Sequence, residues 1–205
     1  MDQPDLSVQL AQYKGLIFDM DGTLLDTMPT HVESWKKAAE RFDFPFAAEW
    51  LQSMGGMPSI KVVDEINRRY GLSLDPREVS QFKQHSFHLL ERPSQRIALT
   101  CDILEDAQGD KKLAVGTGSP RDHALALLEE AGLLDKLDAV VTASDVENHK
   151  PNPDTFLKAC DQIRLKPEEC VVFEDTELGK QAAHAGGMDC ILVTKQGLVF
   201  HPLIG

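Results

Sequence analysis

Lys14–Thr27 reads KGLIFDMDGTLLDT, and the two halves of this stretch behave differently. Lys14–Met20 is a nearly unbroken apolar run, the pattern of a strand buried on both faces. It ends in Asp19 and Asp21, two residues apart, so on a strand both carboxylates point the same way. Two like charges that close repel unless a cation lies between them. Gly22 then permits a sharp turn. An EF-hand calcium loop needs Gly at its sixth position and Glu at its twelfth. Counted from Asp19, those places hold Leu24 and Thr30, and the calcium-loop reading fails.

Working outward, four more short apolar runs read as buried strands: Leu113–Gly118 (LAVGTG), Ala139–Ala143 (AVVTA), Val171–Asp175 (VVFED) and Cys190–Thr194 (CILVT). Helical patterns lie between them. Arg121–Ala131 repeats Ala and Leu at helical spacing and stops at Gly132. Asp154–Arg164 follows Pro153, and Leu178–Ala185 stops at Gly186-Gly187. Strands alternating with helices predict an α/β fold, a Rossmann-like parallel sheet with helices on both faces. After Asp26 the rhythm breaks. Thr30–Phe42, Ala47–Met54, Ser59–Tyr70 and Pro76–Leu90 read as helices, separated by Phe44-Pro45, Gly55-Gly56-Met57-Pro58 and Gly71. The expected organisation is therefore a helical insert over 27–92 in a core built from 1–26 and 93–205.

The chain has 205 residues and a formal net charge of −12. Phosphate backbones are bound by clustered Lys and Arg, so this balance argues against an extended nucleic-acid surface. An anionic ligand would need a locally positive site against that background. No apolar run is long enough to predict a membrane span. Met1–Gln12 has neither the basic start nor the apolar stretch of a signal peptide, which points to the cytoplasm. Cys101, Cys160, Cys170 and Cys190 show no CxxC or zinc spacing and are expected as buried reduced thiols.

Four segments fall at the C-terminal ends of predicted strands, the edge where open parallel sheets bind ligands. Asp19–Thr23 is the first. Val115–Ser119 is the second; its small and hydroxylated residues offer backbone N–H groups to an anion where the next helix begins. A dinucleotide fingerprint would need a third glycine at Arg121, and a P-loop at Gly179-Lys180 lacks its other parts, so both readings fail. The third is His149-Lys150-Pro151, whose lysine supplies positive charge near the acids; His149 reads as structural or solvated. The fourth is Glu174-Asp175. Asp175 alone would read equally well as a helix cap. With Asp19 and Asp21 at the same edge, a magnesium site is the stronger reading, because that ion takes carboxylates, waters and phosphate oxygens.

Taken in order, DMDGTLLDT (Asp19–Thr27), Thr117, Lys150-Pro151 and Glu174-Asp175 resemble the four motifs of the haloacid dehalogenase-like (HAD) hydrolase superfamily, and the helical insert resembles its small α-helical cap. HKPNPDTFL (His149–Leu157) and CVVFEDTELGKQAAHAGGM (Cys170–Met188) are similar to the β-phosphoglucomutase-like branch, especially its fructose-1-phosphate phosphatase-type members. The resemblance runs from about Lys14 to Thr194. It implies an Mg2+-dependent phosphatase in which Asp19 is the nucleophile and forms an aspartyl-phosphate. Asp21 is then the acid and base, and Thr117 and Lys150 are catalytic. It assigns the metal to Asp19, Asp21 and Asp175 with Glu174, and the phosphate to Met20, Asp21, Gly118 and Ser119.

From the cap it offers His31, Gly56, Ser59 and Lys83 as substrate contacts. His31 also reads as the edge of the face carrying Trp35 and Phe42, and Ser59 as a helix cap after Pro58. The implied partner is a small phosphorylated metabolite: fructose 1-phosphate first, then 6-phosphogluconate or a sugar-alcohol phosphate. It implies a monomer without nucleic-acid or membrane partners. A mutase of this branch would carry an Arg near Ser59, which this chain lacks, and dehalogenase relatives lack the second Asp and the metal. A response-regulator receiver also gathers acids, Ser/Thr and Lys-Pro around a phosphorylated Asp. Receivers are shorter, lack the insert and take phosphate after their third strand.

Overall fold

A computed structural model describes residues 6–90 and 95–203. The expected boundary between residues 92 and 93, and residues 1–5 of the N-terminal segment, lie outside them. In chain order the elements are α1 (Leu6–Leu10), β1 (Gly15–Phe18), β2 (Leu25–Asp26), α2 (Met28–Phe42), α3 (Ala48–Ser53), α4 (Ser59–Tyr70) and α5 (Pro76–Leu89). There follow β3 (Gln95–Arg96), α6 (Ala98–Asp106), β4 (Lys112–Gly116), α7 (Arg121–Glu130), β5 (Ala139–Val141), α8 (Asp154–Gln162), β6 (Cys170–Glu174), α9 (Glu177–Ala185), β7 (Asp189–Thr194) and β8 (Gly197–His201).

The five apolar runs form one sheet in the order β5-β4-β1-β6-β7, with β8 added at the β7 edge. Strand β1 is central and parallel to both neighbours: Gly15 pairs with Lys112 and with Cys170, and Phe18 with Val115 and with Phe173. The period-two alternation of side chains explains why such runs are apolar throughout. Leu16 and Phe18 pack on one face with Leu104, Leu127 and Leu128 from α6 and α7. Ile17 packs on the other with Phe156, Ala159, Ala182 and Ala183 from α8 and α9. Both faces are thus covered, as the alternation of strands and helices predicts.

Two features depart from the expectation. The sheet is mixed, because β8 runs antiparallel to β7, with Thr194 opposite Gly197 and Cys190 opposite His201. Only Lys195 and Gln196 separate these strands, too few for the crossover that a parallel neighbour needs. Helix α6 is the second. Its N-cap is Ile97 with no side-chain capping bond, so the usual start signal is missing from the sequence.

The insert is helical as expected and is a cap with an apolar cluster of its own: Trp35, Ala38, Leu51, Met54, Val62, Val63, Ile66 and Val79. Some of its helix ends carry local signals. Asp75 accepts hydrogen bonds from the Arg77 and Glu78 N–H groups at 2.8 and 3.2 Å, with Pro76 in the first turn of α5. No helix among the described residues is long and apolar enough to cross a membrane. All four cysteines are buried free thiols.

Candidate active site

The C-terminal ends of β1, β4 and β6 meet beneath the cap. Phe18 is the last residue of β1, so Asp19 emerges at the sheet edge beside the end of β6, where its N–H donates to the Phe173 carbonyl at 2.9 Å. The buried Lys150 ammonium lies between two acids, donating to Asp19 Oδ1 at 2.6 Å and to Glu174 Oε1 at 2.7 Å. The Phe156 ring sits against it, 4.6 Å from Nζ to the centroid. Burial alone would discharge this lysine, but Asp19 and Glu174 outweigh it and hold Lys150 firmly protonated. Glu174 is wholly buried, and its second oxygen accepts from the Thr176 N–H and hydroxyl, both at 2.7 Å. Thr176 is also the N-cap of α9.

Asp175 is therefore not the cap of that helix. Its Oδ1 is buried and has no hydrogen-bond partner among the described residues. One oxygen each from Asp19, Glu174 and Asp175 lies within 4.8 Å of the others. Burial pushes the Asp19 and Asp175 carboxyls above the ordinary range against the pull of Lys150; Glu174 pushes both further, with Asp21 adding to the effect on Asp19 and Asp19 to that on Asp175. An orphaned buried carboxylate oxygen inside a cluster of acids is the arrangement a hard divalent cation relieves. The donor set thus fits magnesium. Gly22 permits the approach: its φ is 87°, and a Cβ there would stand 2.2 Å from Asp175 Oδ2.

Asp21 belongs to a second network. Its Oδ1 accepts from the Thr27 hydroxyl at 2.6 Å and lies 3.2 Å from His31 Nε2, while its Oδ2 accepts from the Ser119 hydroxyl at 2.7 Å. The Lys83 Nζ is 2.6 Å from His31 Nδ1. A lysine ammonium can only donate, so Nδ1 accepts and the ring proton sits on Nε2, facing Asp21. Burial would raise the Asp21 pKa, but His31 and the Thr27 hydroxyl outweigh it and hold this carboxyl below the ordinary range. Burial pushes Lys83 down to about 8 and lowers His31, with the Lys83 charge adding to the effect.

These groups open onto a cleft of about 800 Å³, counted with its open mouth, between core and cap. Asp19, Asp21, His31, Gly56, Ser59, Lys83, Thr117, Gly118 and Ser119 line it. The cap wall is otherwise largely carbon, from Trp35, Met54, Met57 and Val62. Thr117 is fully buried, and its hydroxyl accepts from the Ser119 N–H at 3.1 Å. Core and cap touch backbone to backbone here: a Cβ on Gly118 would stand 2.1 Å from the Gly56 carbonyl oxygen.

Several residues take places other than those expected. The Met20 side chain is buried in the core, so only its backbone is left for an anion. Ser59 is the first residue of α4 and Pro58 its N-cap, so Ser59 does not cap. His31 stays largely buried beside apolar residues, tilted against Phe87 with Lys83 shared between it and Trp35, and its Nε2 also reaches Asp21. Both Glu174 oxygens already have protein partners, which makes it a support for Lys150 as well as a candidate ligand. His149 contacts the Ala143 carbonyl at 3.1 Å, a structural contact. Thr27, Thr176, His88 and His123 went unnoticed as site residues. Thr27 and Thr176 lie inside or beside the quoted motifs, whereas no spacing in the sequence singles out the two histidines.

Residues 16–193 match the family model described as haloacid dehalogenase-like hydrolase. The chain belongs to the haloacid dehalogenase-like hydrolase family. It is 38% identical over 180 residues to fructose-1-phosphate phosphatase YqaB of Escherichia coli (strain K12), covering 88% of this chain and 96% of that one. It is 28% identical over 184 residues to the β-phosphoglucomutase of Bacillus subtilis (strain 168), with 85% and 80% covered. The fold is shared with a crystal structure of β-phosphoglucomutase from Clostridium difficile, at a TM-score of 0.80 and 23% identity, covering 89% and 85% of the two chains.

Proposed function

We propose that this protein is a magnesium-dependent phosphatase that hydrolyses a small sugar phosphate, fructose 1-phosphate first, through an aspartyl-phosphate on Asp19. The observation that carries this reading is Lys150 held between Asp19 and Glu174, with the unpartnered Asp175 oxygen in the same acidic cluster, next to the cleft that Asp19 lines. The similarity to the fructose-1-phosphate phosphatase supports the choice of substrate. Segments 1–26 and 93–205 act as the catalytic core and 27–92 as the cap.

In this reading an Asp19 oxygen attacks phosphorus and the bond to the sugar oxygen breaks, which splits one difficult displacement into two easier ones. Lys150, the Thr117 hydroxyl and the Gly118 N–H bind the phosphoryl oxygens, with Ser119 beside them. Asp21 gives a proton to the departing oxygen and recovers one from the water that releases phosphate. Its resting carboxylate, held by Thr27, His31 and Ser119, is the form the second half needs. Its proton for the first half is taken up as substrate binds. Asp19, the Asp21 backbone carbonyl and Asp175 would hold the metal, with Glu174 supporting. Magnesium would supply charge neutralisation between the attacking carboxylate and the phosphoryl group.

A phosphatase is favoured over a mutase by the cleft lining. Among the described residues that line it, Lys83 is the one lysine and there is no arginine, so the cap side offers little to grip a second phosphate. A phosphate-release screen over sugar phosphates, with and without magnesium, tests the reading. Magnesium-dependent release from fructose 1-phosphate is the expected result. Conversion of β-glucose 1-phosphate, primed with a trace of bisphosphate, to glucose 6-phosphate without free phosphate would overturn it in favour of the isomerase.

A further inference from the structure

His88, near the end of α5 in the cap, and His123, in the first turn of α7 in the core, pack edge to face against each other where cap and core meet at the cleft. Their ring centroids are 5.0 Å apart and their planes 80° to one another. Phe87 lies edge-on to His123 at 4.8 Å and is tilted 43° against His31 at 4.6 Å. Both histidines line the cleft, with His123 half-buried and close enough to Asp21 to feel its charge. Among the described residues, His31, His149 and His184 each have a ring nitrogen within hydrogen-bond distance of a protein atom. No such partner is seen for His88 or His123. Neither ring has a buried unpartnered nitrogen, so these nitrogens stay open to whatever fills the cleft that both residues line.

We propose that His123 and His88 read the hydroxyl groups on the leaving part of the substrate, so that the site selects polyhydroxylated phosphate monoesters over plain alkyl or aryl ones. This rests on the phosphatase reading and adds a specificity pair shared between core and cap. The arrangement of the cleft divides the ligand in three. Its phosphate end meets Thr117, Gly118 and Lys150. Its carbon skeleton meets the wall of Trp35, Met54 and Met57, and its outer hydroxyls meet the two imidazoles. Burial pushes His123 down to about 4, so at neutral pH its ring carries one donor and one acceptor, the pair that a hydroxyl group matches. A site built to hydrogen-bond a hydroxyl discriminates against analogues lacking it far better than an apolar pocket discriminates by size.

The test compares kcat/KM for fructose 1-phosphate with kcat/KM for phenyl phosphate, which has the ester but no hydroxyls. In His123→Ala the ratio of the two should fall about tenfold, the value of one well-made hydrogen bond. It should fall less in His88→Ala, whose ring is more exposed, and His123→Asn should recover part of the loss. A ratio unchanged in both alanine variants, or a His123→Ala loss equal for both substrates, overturns the proposal. If the wild-type protein hydrolyses phenyl phosphate but not fructose 1-phosphate, the hydroxyl reading falls while the phosphatase stands. If it releases phosphate from neither of these nor from any other sugar phosphate of the screen, the phosphatase reading falls and takes this one with it.

Discussion

At the core end of the cleft, Asp19, Lys150, Glu174 and Thr176 are tied to one another by short, buried hydrogen bonds. At the cap wall, Trp35, Met54, Met57 and Val62 present carbon, with Gln52, Gln84 and His88 among them, and His31 and Lys83 are tied to each other and to Asp21. The first region has its geometry fixed before a ligand arrives, which is what a developing charge requires. In the proposed function, the second meets the variable part of the ligand. Chemistry and selectivity are thus built from different materials, and changes to each should damage different measurements.

The largest effect is expected at the core end. Asp19→Asn should lower phosphate release by more than about a thousandfold, because an amide cannot serve as the nucleophile. Retention of more than a few per cent of activity in a folded variant would remove Asp19 from that role. Asp175→Asn should act on the metal. Magnesium titrations should lose most of their amplitude, and the magnesium-free protein should melt higher by about 2–4 °C, as expected for some 1 kcal/mol in a chain of this size. The gain follows from replacing a buried carboxylate, whose pKa is raised by burial and by its acidic neighbours, with a neutral group. An unchanged metal titration would count against the ligand set.

Gly118→Ala probes the line where the two regions meet. A methyl group there would stand 2.1 Å from the Gly56 carbonyl oxygen, so the cap must lift. A fall in kcat/KM of about a hundredfold is expected from the lost alignment. Unchanged kinetics would show that the cap does not need this seat. The smallest effect is at Lys83. Its folded pKa is depressed from 10.5 to about 8, so between those values the unfolded chain binds more protons than the folded one. Stability therefore gains a contribution that rises with pH across that window. Urea midpoints measured from pH 8 upward should rise less steeply in Lys83→Met than in the wild type; equal slopes would contradict the burial argument.

The core was legible in the sequence because its signals are local. A run such as KGLIFDM names its own strand, and the residues ending β1, β4 and β6 share an edge by topology alone. The β8 hairpin escaped notice because two intervening residues give little to read, and α6 because Ile97 offers no cap. Around the chemistry, the sequence placed Asp19, Lys150 and Glu174 near one another but not the order of contacts. Nothing in FED (Phe173–Asp175) tells which acid holds the lysine and which keeps a bare oxygen. His88 and His123 were out of reach altogether, since they meet only through the packing of a cap helix on a core helix, and that distance is not written in any spacing.

Because Gly15–Phe18 is flanked by Lys112–Val115 on one side and Cys170–Phe173 on the other, the strand that leads into Asp19 must wait for its neighbours during synthesis. The intervening cap helices make mostly local contacts and can form early, while the central strand closes two long loops before it is covered. A nascent or truncated chain ending before β6 leaves an apolar strand with one edge bare, the species most prone to mispairing. Fragments that stop short of Glu174 should therefore aggregate rather than accumulate as a soluble half-enzyme.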